Sequence, residues 1–137
     1  MLITRETDYA LRILQNLMDG EKRSVGDISQ NEFIPQQFAY KIAKKLAKAG
    51  FIQITRGVDG GCRLHKDLNT ISLYDLITAI EGGYEVNACM DPEFTCTRRQ
   101  SSGCSVHPQL MVIQKTLTDQ LRSHTLESLL SSHSKKA

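Results

Sequence analysis

Between positions 34 and 65 an apolar stripe with a four-residue recurrence gives way to two short runs of strand formers joined by a glycine-rich turn. Ile34, Phe38, Ile42 and Leu46 fall along one face of a helix that Pro35 opens and Gly50 closes. Phe51-Ile52-Gln53-Ile54-Thr55-Arg56 then reads as a strand, Gly57-Val58-Asp59-Gly60-Gly61 as a turn and Cys62-Arg63-Leu64-His65 as the returning strand. Two more helices precede this unit. The first spans about residues 4–18, with Tyr9, Ala10, Ile13, Leu14 and Leu17 on one face and Asp19-Gly20 as its stop. The second starts after Ser24, with Asp27 three residues on as a variant capping box, and takes Ile28 and Phe33-Ile34 as its apolar face. Helix, helix, helix and hairpin in this order predict a winged helix-turn-helix, a mainly α fold with one small β-hairpin.

The face of the third helix opposite its stripe carries Gln36, Gln37, Tyr40, Lys41, Lys44 and Lys48. Amides near a helix N-terminus suit base edges in a major groove, and lysines further along suit phosphates. The net charge of +2 is uninformative until divided along the chain, because residues 35–66 hold seven basic residues against the single acid Asp59. Such a local patch is what contact with a nucleic-acid backbone requires. The bland alternatives are a solvated basic face and a plain amphipathic surface helix. Arg56 at the base of the wing can hold a phosphate or enter a minor groove, and the wing glycines, Gly60 among them, permit close approach to a backbone. A nucleotide cradle is disfavoured, since neither G-x-G-x-x-G nor the P-loop pattern is present.

Beyond the hairpin a helix fits residues 72–81, with Leu73, Leu76, Ile77 and Ile80 apolar and Gly82-Gly83 ending it. Residues from 84 to about 106 have no period and carry Cys89-x6-Cys96-x7-Cys104-x2-His107. A loop this long within a small domain needs something to organise it. Thiolates are soft ligands, so an iron-sulfur cluster and zinc are the candidates, and the C-x2-C knuckles of structural zinc are absent. His107 completes a mixed site or is a capping or surface histidine. An amphipathic helix over about 108–123, with Leu110, Ile113, Leu117 and Leu121, and a short segment at 125–130 close the chain. That stripe is a dimer seam or folds back on its own domain. The organisation read here is 1–83 for DNA binding, 84–107 for a cluster loop and 108–137 for a dimerisation helix and C-terminal tail.

Hydrophobic content of 40% and charged content of 23% in 137 residues are ordinary for a globular chain and exclude global disorder. No apolar run approaches 18 residues, and Met1-Leu2-Ile3-Thr4-Arg5 lacks a signal-peptide core, so the expectation is a cytoplasmic protein with no membrane partner. In that compartment cysteines stay reduced, which favours ligation or redox sensing over disulfides.

Nearly the whole length resembles the small bacterial winged-helix regulators of the IscR, NsrR and CymR type. The resemblance is carried by Thr7-Asp8-Tyr9-Ala10-Leu11-Arg12, Leu46-Ala47-Lys48-Ala49-Gly50-Phe51-Ile52, Arg56-Gly57-Val58-Asp59-Gly60-Gly61, the stretch from Ile71 to Gly82, the three cysteines with His107, and Thr125-Leu126-Glu127-Ser128-Leu129. It implies a homodimeric transcription factor, usually a repressor, on a palindromic operator in double-stranded DNA. It further implies a two-iron or four-iron cluster on Cys89, Cys96 and Cys104 whose presence or damage changes DNA binding. The fourth ligand implied is His107 in the IscR-like pattern, or an acid from the partner's first helix, matching Asp8, in the NsrR-like pattern. Asp8 also has a simpler explanation, an acid favoured in a first helical turn. Two departures stand out: Cys62 replaces a usual aromatic, as a small buried hydrophobe or a redox thiol, and the separations between ligand cysteines exceed those of IscR. The competing readings are a cluster-free regulator controlled by a protein partner or thiol oxidation, as in CymR-like members, and more remotely a thiol enzyme using Cys104 and His107. The enzyme reading lacks a C-x-x-C and a nucleophile elbow.

Overall fold

The computed structural model describes residues 3–98 and 103–131. Helices α1 (Arg5–Asn16), α2 (Val25–Asn31) and α3 (Gln36–Lys48) are followed by strands β1 (Ile52–Thr55) and β2 (Gly61–Leu64), then by α4 (Leu73–Glu81), α5 (Val106–Ser123) and α6 (Leu126–Ser131). Single 3-10 turns occupy Leu68–Thr70 and Ala88–Met90. The core lies where Ile13 and Leu14 of α1, with Leu17 just beyond its end, meet Ile28, Ile42, Leu46, Ile52, Leu76 and Leu126, all buried. The predicted mainly α fold with one hairpin is the fold observed.

Local chemistry sets the boundaries. At α2 the Ser24 hydroxyl accepts the Asp27 amide at 3.0 Å. At α4 the exchange is reciprocal, with the Asp75 amide donating to Ser72 Oγ at 3.1 Å and the Ser72 amide to Asp75 Oδ2 at 2.9 Å. Gly82 ends α4 in the left-handed conformation at φ 80°.

Two apolar assignments need correction. Phe38 is 42% exposed, and the buried stripe of α3 is Ala39, Ile42, Ala43 and Leu46. A four-residue recurrence drifts by roughly 40° per step against the 3.6-residue turn, which rotates Phe38 to the edge of the face. There its ring meets Tyr9 at 6.1 Å between centroids. Phe33 lies beyond the end of α2, at φ 55° and 87% exposed, so the apolar face of α2 excludes it.

The hairpin is antiparallel, pairing Ile52 with Leu64 and Ile54 with Cys62. It is not free-standing. Arg23, ahead of α2, exchanges both backbone bonds with Cys62, at 2.9 and 2.6 Å. The Arg23 guanidinium in turn grips Asp19 at 2.8 and 2.5 Å and the Asn16 carbonyl at 2.7 Å. This clamp holds the Asp19 carboxyl at about 2, well below its ordinary range.

The C-terminal segment divides. Helix α6 returns to the body, where the Leu126 amide donates to the Ile71 carbonyl at 2.8 Å and the Leu126 side chain is fully buried. Helix α5 begins at Val106, two residues before the predicted start, and buries Leu121 alone. Ile113 of the predicted stripe is 52% exposed, beside Met111 at 54% and Val112 at 64%. Among the described residues no helix is long and apolar enough to cross a membrane.

Candidate DNA interface and ligand loop

Gln36, Gln37, Tyr40, Lys41, Lys44 and Lys48 all stand exposed on the outer face of α3, and Arg56 is exposed where the wing leaves β1. A cleft of about 590 Å³ opens between α3 and the wing, with Tyr40, Lys44, Thr55, Arg56, Gly60 and Cys62 in its walls. Two cations and a tyrosine hydroxyl around a concave surface are suited to a phosphodiester backbone. Gly60 has a second reason to be glycine. A Cβ there would stand 2.3 Å from the Thr55 carbonyl oxygen and 2.8 Å from that of Gly57, so the turn itself excludes a side chain.

Lys41 is not a free cation. Its Nζ sits 2.6 Å from Glu6 Oε1, while Lys45 takes Glu6 Oε2 at 2.8 Å and the Ile80 carbonyl at 2.9 Å. Hydrogen bonds from these two lysines hold the Glu6 carboxyl below its ordinary value. Glu6 escapes sequence inspection because its partners lie 35 and 39 residues away. The available signal is the placement of Lys41 and Lys45 four apart, on one side of α3. Glu81 is likewise engaged: Thr7 Oγ1 donates to it at 2.8 Å, and the Thr4 hydroxyl donates to the same oxygen.

The loop after α4 is pinned at its start to α5. The Tyr84 hydroxyl lies 2.9 Å from Thr118 Oγ1, and the Val86 amide donates to Gln114 Oε1 at 2.8 Å. The Tyr84 ring meets Tyr74 edge-on at 5.8 Å, and the Arg122 guanidinium stacks over Tyr74 at 4.4 Å. Cys89 sits in the 3-10 turn and shares with His107 a cavity of about 340 Å³ that Asp91, Met111 and Gln114 also line. His107 falls in the first turn of α5, and its Nδ1 is buried with no hydrogen-bond partner. Cys96 and Cys104 are half-buried outside that cavity, and residues 99–102 between them lie outside the described residues. Among the described residues no three His, Cys, Asp or Glu side chains are grouped to hold a metal ion.

Asp8, the other candidate ligand, lies on the surface of α1 and pairs with Arg12 at 2.9 Å. Arg12 also donates to the Glu32 carbonyl at 3.1 Å, joining Asp8 to the turn that precedes α3. Cys62 is fully buried beneath the wing, and burial pushes its thiol up, the opposite of an activated thiolate.

A profile of the Rrf2 family, described as iron-dependent transcriptional regulator, matches residues 3–132. Protein aau3 of Rhizobium meliloti (strain 1021) is 28% identical over 133 residues, spanning 95% of this chain and 85% of that protein. Among solved structures, CymR, the global cysteine regulator of B. subtilis, superposes with a TM-score of 0.72 at 23% identity, covering 95% of this chain and 96% of its own. T. potens IscR superposes with a TM-score of 0.69 at 17% identity, covering 98% and 90%. At these identities the two structures establish a shared fold.

Proposed function

The chain belongs to the Rrf2 family of transcriptional regulators, and from that premise we propose a homodimeric cytoplasmic repressor of a palindromic operator whose affinity is set by an iron-sulfur cluster. Residues 1–83 bind DNA in this reading, 84–107 carry the cluster and 108–137 supply the dimer helix and tail. Gln36, Gln37 and Tyr40 choose sequence, while Lys41, Lys44 and Arg56 supply affinity and its salt dependence. Gly60 keeps the wing tight enough to follow the backbone. The exposed Met111, Val112 and Ile113 of α5 are the surface a second copy would cover, which would pair two α3 helices for two half-sites.

Cys89, Cys96 and Cys104 would hold a two-iron or four-iron cluster, with His107 or Asp8 of the partner subunit as fourth ligand. The donor chemistry fits: soft thiolates with one imidazole or carboxylate are a recognised iron-sulfur set. When bound, the cluster supplies a core sensitive to iron-sulfur supply, redox state or nitric oxide. The residues around it do the rest. Tyr84 and Gln114 tie the loop to α5, and α5 packs on α4, which itself packs on α1 and α3.

The observation that carries the cluster reading is the buried, unpartnered Nδ1 of His107 beside Cys89, because a buried polar atom without a partner costs stability unless something satisfies it. Anaerobic purification is expected to give a coloured protein with iron and sulfide. Cys96→Ala is expected to lose the colour and to shift operator affinity in a gel-shift titration. Stoichiometric zinc without iron in that preparation overturns the proposal. A second reading, DNA binding without a cluster and under control of a partner protein or thiol oxidation, is favoured by the separation of Cys96 and Cys104 from the Cys89 cavity. Operator affinity indifferent to reconstitution and to Cys→Ala changes would select it.

A further inference from the structure

The two lysines facing the first turn of α1 are held differently. Lys45 has two acceptors, Glu6 Oε2 and the Ile80 carbonyl, and its side chain is 35% exposed. Lys41 is 54% exposed, and Glu6 Oε1 at 2.6 Å is the carboxylate atom that neutralises it. Glu6 thus commits one oxygen to each lysine. It also sits on a turn that cannot follow Lys41 outward, because Thr4 and Thr7 on either side of it donate to Glu81 at the end of α4. Lys41 shares the outer face of α3 with Gln37 and Lys44, so a phosphate approaching that face meets a lysine already paired.

We propose that Glu6 is a positioning residue that competes with the DNA backbone for Lys41 and holds down the sequence-independent part of DNA affinity. The inference rests on the reading of α3 as the DNA-facing helix and adds to it a residue that touches no DNA. Sequence-independent binding is driven by counterion release, with a slope of log K against log salt of about −0.9 per phosphate neutralised. A lysine that must leave a carboxylate to reach its phosphate contributes less than a free one. The regulator gains discrimination, because the ratio of specific to non-specific affinity decides occupancy among many competing sites.

The test needs no operator. A fluorescein-labelled duplex of random sequence is titrated by anisotropy at several salt concentrations with the full chain, with Glu6→Gln, with Lys41→Ala and with the double variant. The active fraction of each is fixed by stoichiometric titration, so that a less stable variant does not pass for a weak binder. Glu6→Gln is expected to bind roughly three- to tenfold tighter, with a salt slope steeper by up to about 0.9 per subunit. Lys41→Ala is expected to cost more affinity in the Glu6→Gln background than in the wild type. Glu6→Asp keeps the charge and is expected to keep the wild-type slope. Equal losses for Lys41→Ala in both backgrounds, or a slope that rises equally in Glu6→Asp, overturns the proposal. A wild type that binds duplex with salt dependence while Glu6→Gln matches it refutes this inference alone. A wild type with no salt-dependent duplex binding refutes the DNA-facing reading of α3 and this inference with it.

Discussion

Gly60→Ala puts the geometry of the wing to a quantitative test. The added Cβ would stand 2.3 Å from the Thr55 carbonyl oxygen, 2.8 Å from that of Gly57 and 2.9 Å from the Arg56 carbonyl carbon. All three are backbone atoms of the same turn, so no flexible side chain can move aside. Relief requires opening the turn by roughly half an ångström or more, which breaks the 3.0 Å bond from the Gly60 amide to the Gly57 carbonyl. Overpacking of this kind costs about 1–3 kcal/mol. Replacing glycine also narrows the unfolded ensemble and returns about 0.4–1 kcal/mol. The expected net loss is about 1–2 kcal/mol, read in a thermal melt as a Tm lower by roughly 4 °C per kcal/mol. Arg56 flanks the opened turn, so duplex affinity is expected to fall several-fold while the sequence preference proposed for α3 is kept. Val58→Ala at the fully exposed tip is the control and should leave Tm unchanged. A Gly60→Ala protein melting within about a degree of wild type would refute the steric argument. Unchanged affinity despite a lowered Tm would refute the wing's part in holding DNA.

Two further predictions concern the frame behind the site. Leu126→Ala removes a fully buried side chain that docks the C-terminal segment, and is expected to cost about 2–5 kcal/mol in urea unfolding; a loss below about 0.5 kcal/mol would mean that α6 does not stay docked in solution. Burial raises the Cys62 thiol, so above the ordinary thiol range the unfolded chain loses a proton that the folded chain keeps. Its contribution to stability is therefore complete below the unfolded thiol value and is lost as pH rises through the folded one. Wild type is expected to lose more stability than Cys62→Ala between about pH 8 and pH 10.5 by urea titration, and parallel losses would contradict the burial of an intact thiol.

What could be read from the residues divides along the range of the interactions. The helix order, the cap at Ser24, the stop at Gly82 and the hairpin turn are all encoded within a few residues, and each stands where the pattern placed it, while the box of Ser72 with Asp75 is equally local and was not read. The faces of the helices were legible to about one position. Phe38 shows the limit, since four-residue counting and a 3.6-residue helix part company within two turns. The pairing of Arg23 with Cys62 and the embrace of Lys41 by Glu6 had no local signature, because both join segments more than thirty residues apart. The thiol loop yields an expectation of chemistry and none of shape. Its residues have no period, and thiols have no strong mutual attraction to gather them, so their spacing names a ligand class without drawing a geometry.

The end of α4 is where the loop meets the contacts that reach α1 and α3. Within two residues, the Ile80 carbonyl accepts Lys45 of α3 while the Glu81 carboxylate accepts the hydroxyls of Thr4 and Thr7, which bracket Glu6. Glu6 closes the circuit by binding Lys45 again and Lys41 beside it. The loop departs from this same point through Gly82 and Gly83, both at positive φ. Because hydrogen bonds weaken steeply with distance and angle, movement of α4 by about an ångström weakens the bonds from Thr4, Thr7 and Lys45 first. In the proposed DNA-facing role of α3, loosening the end of α4 is expected to reach Lys45 and Lys41 through Glu6 and to be read as a changed salt slope of duplex binding.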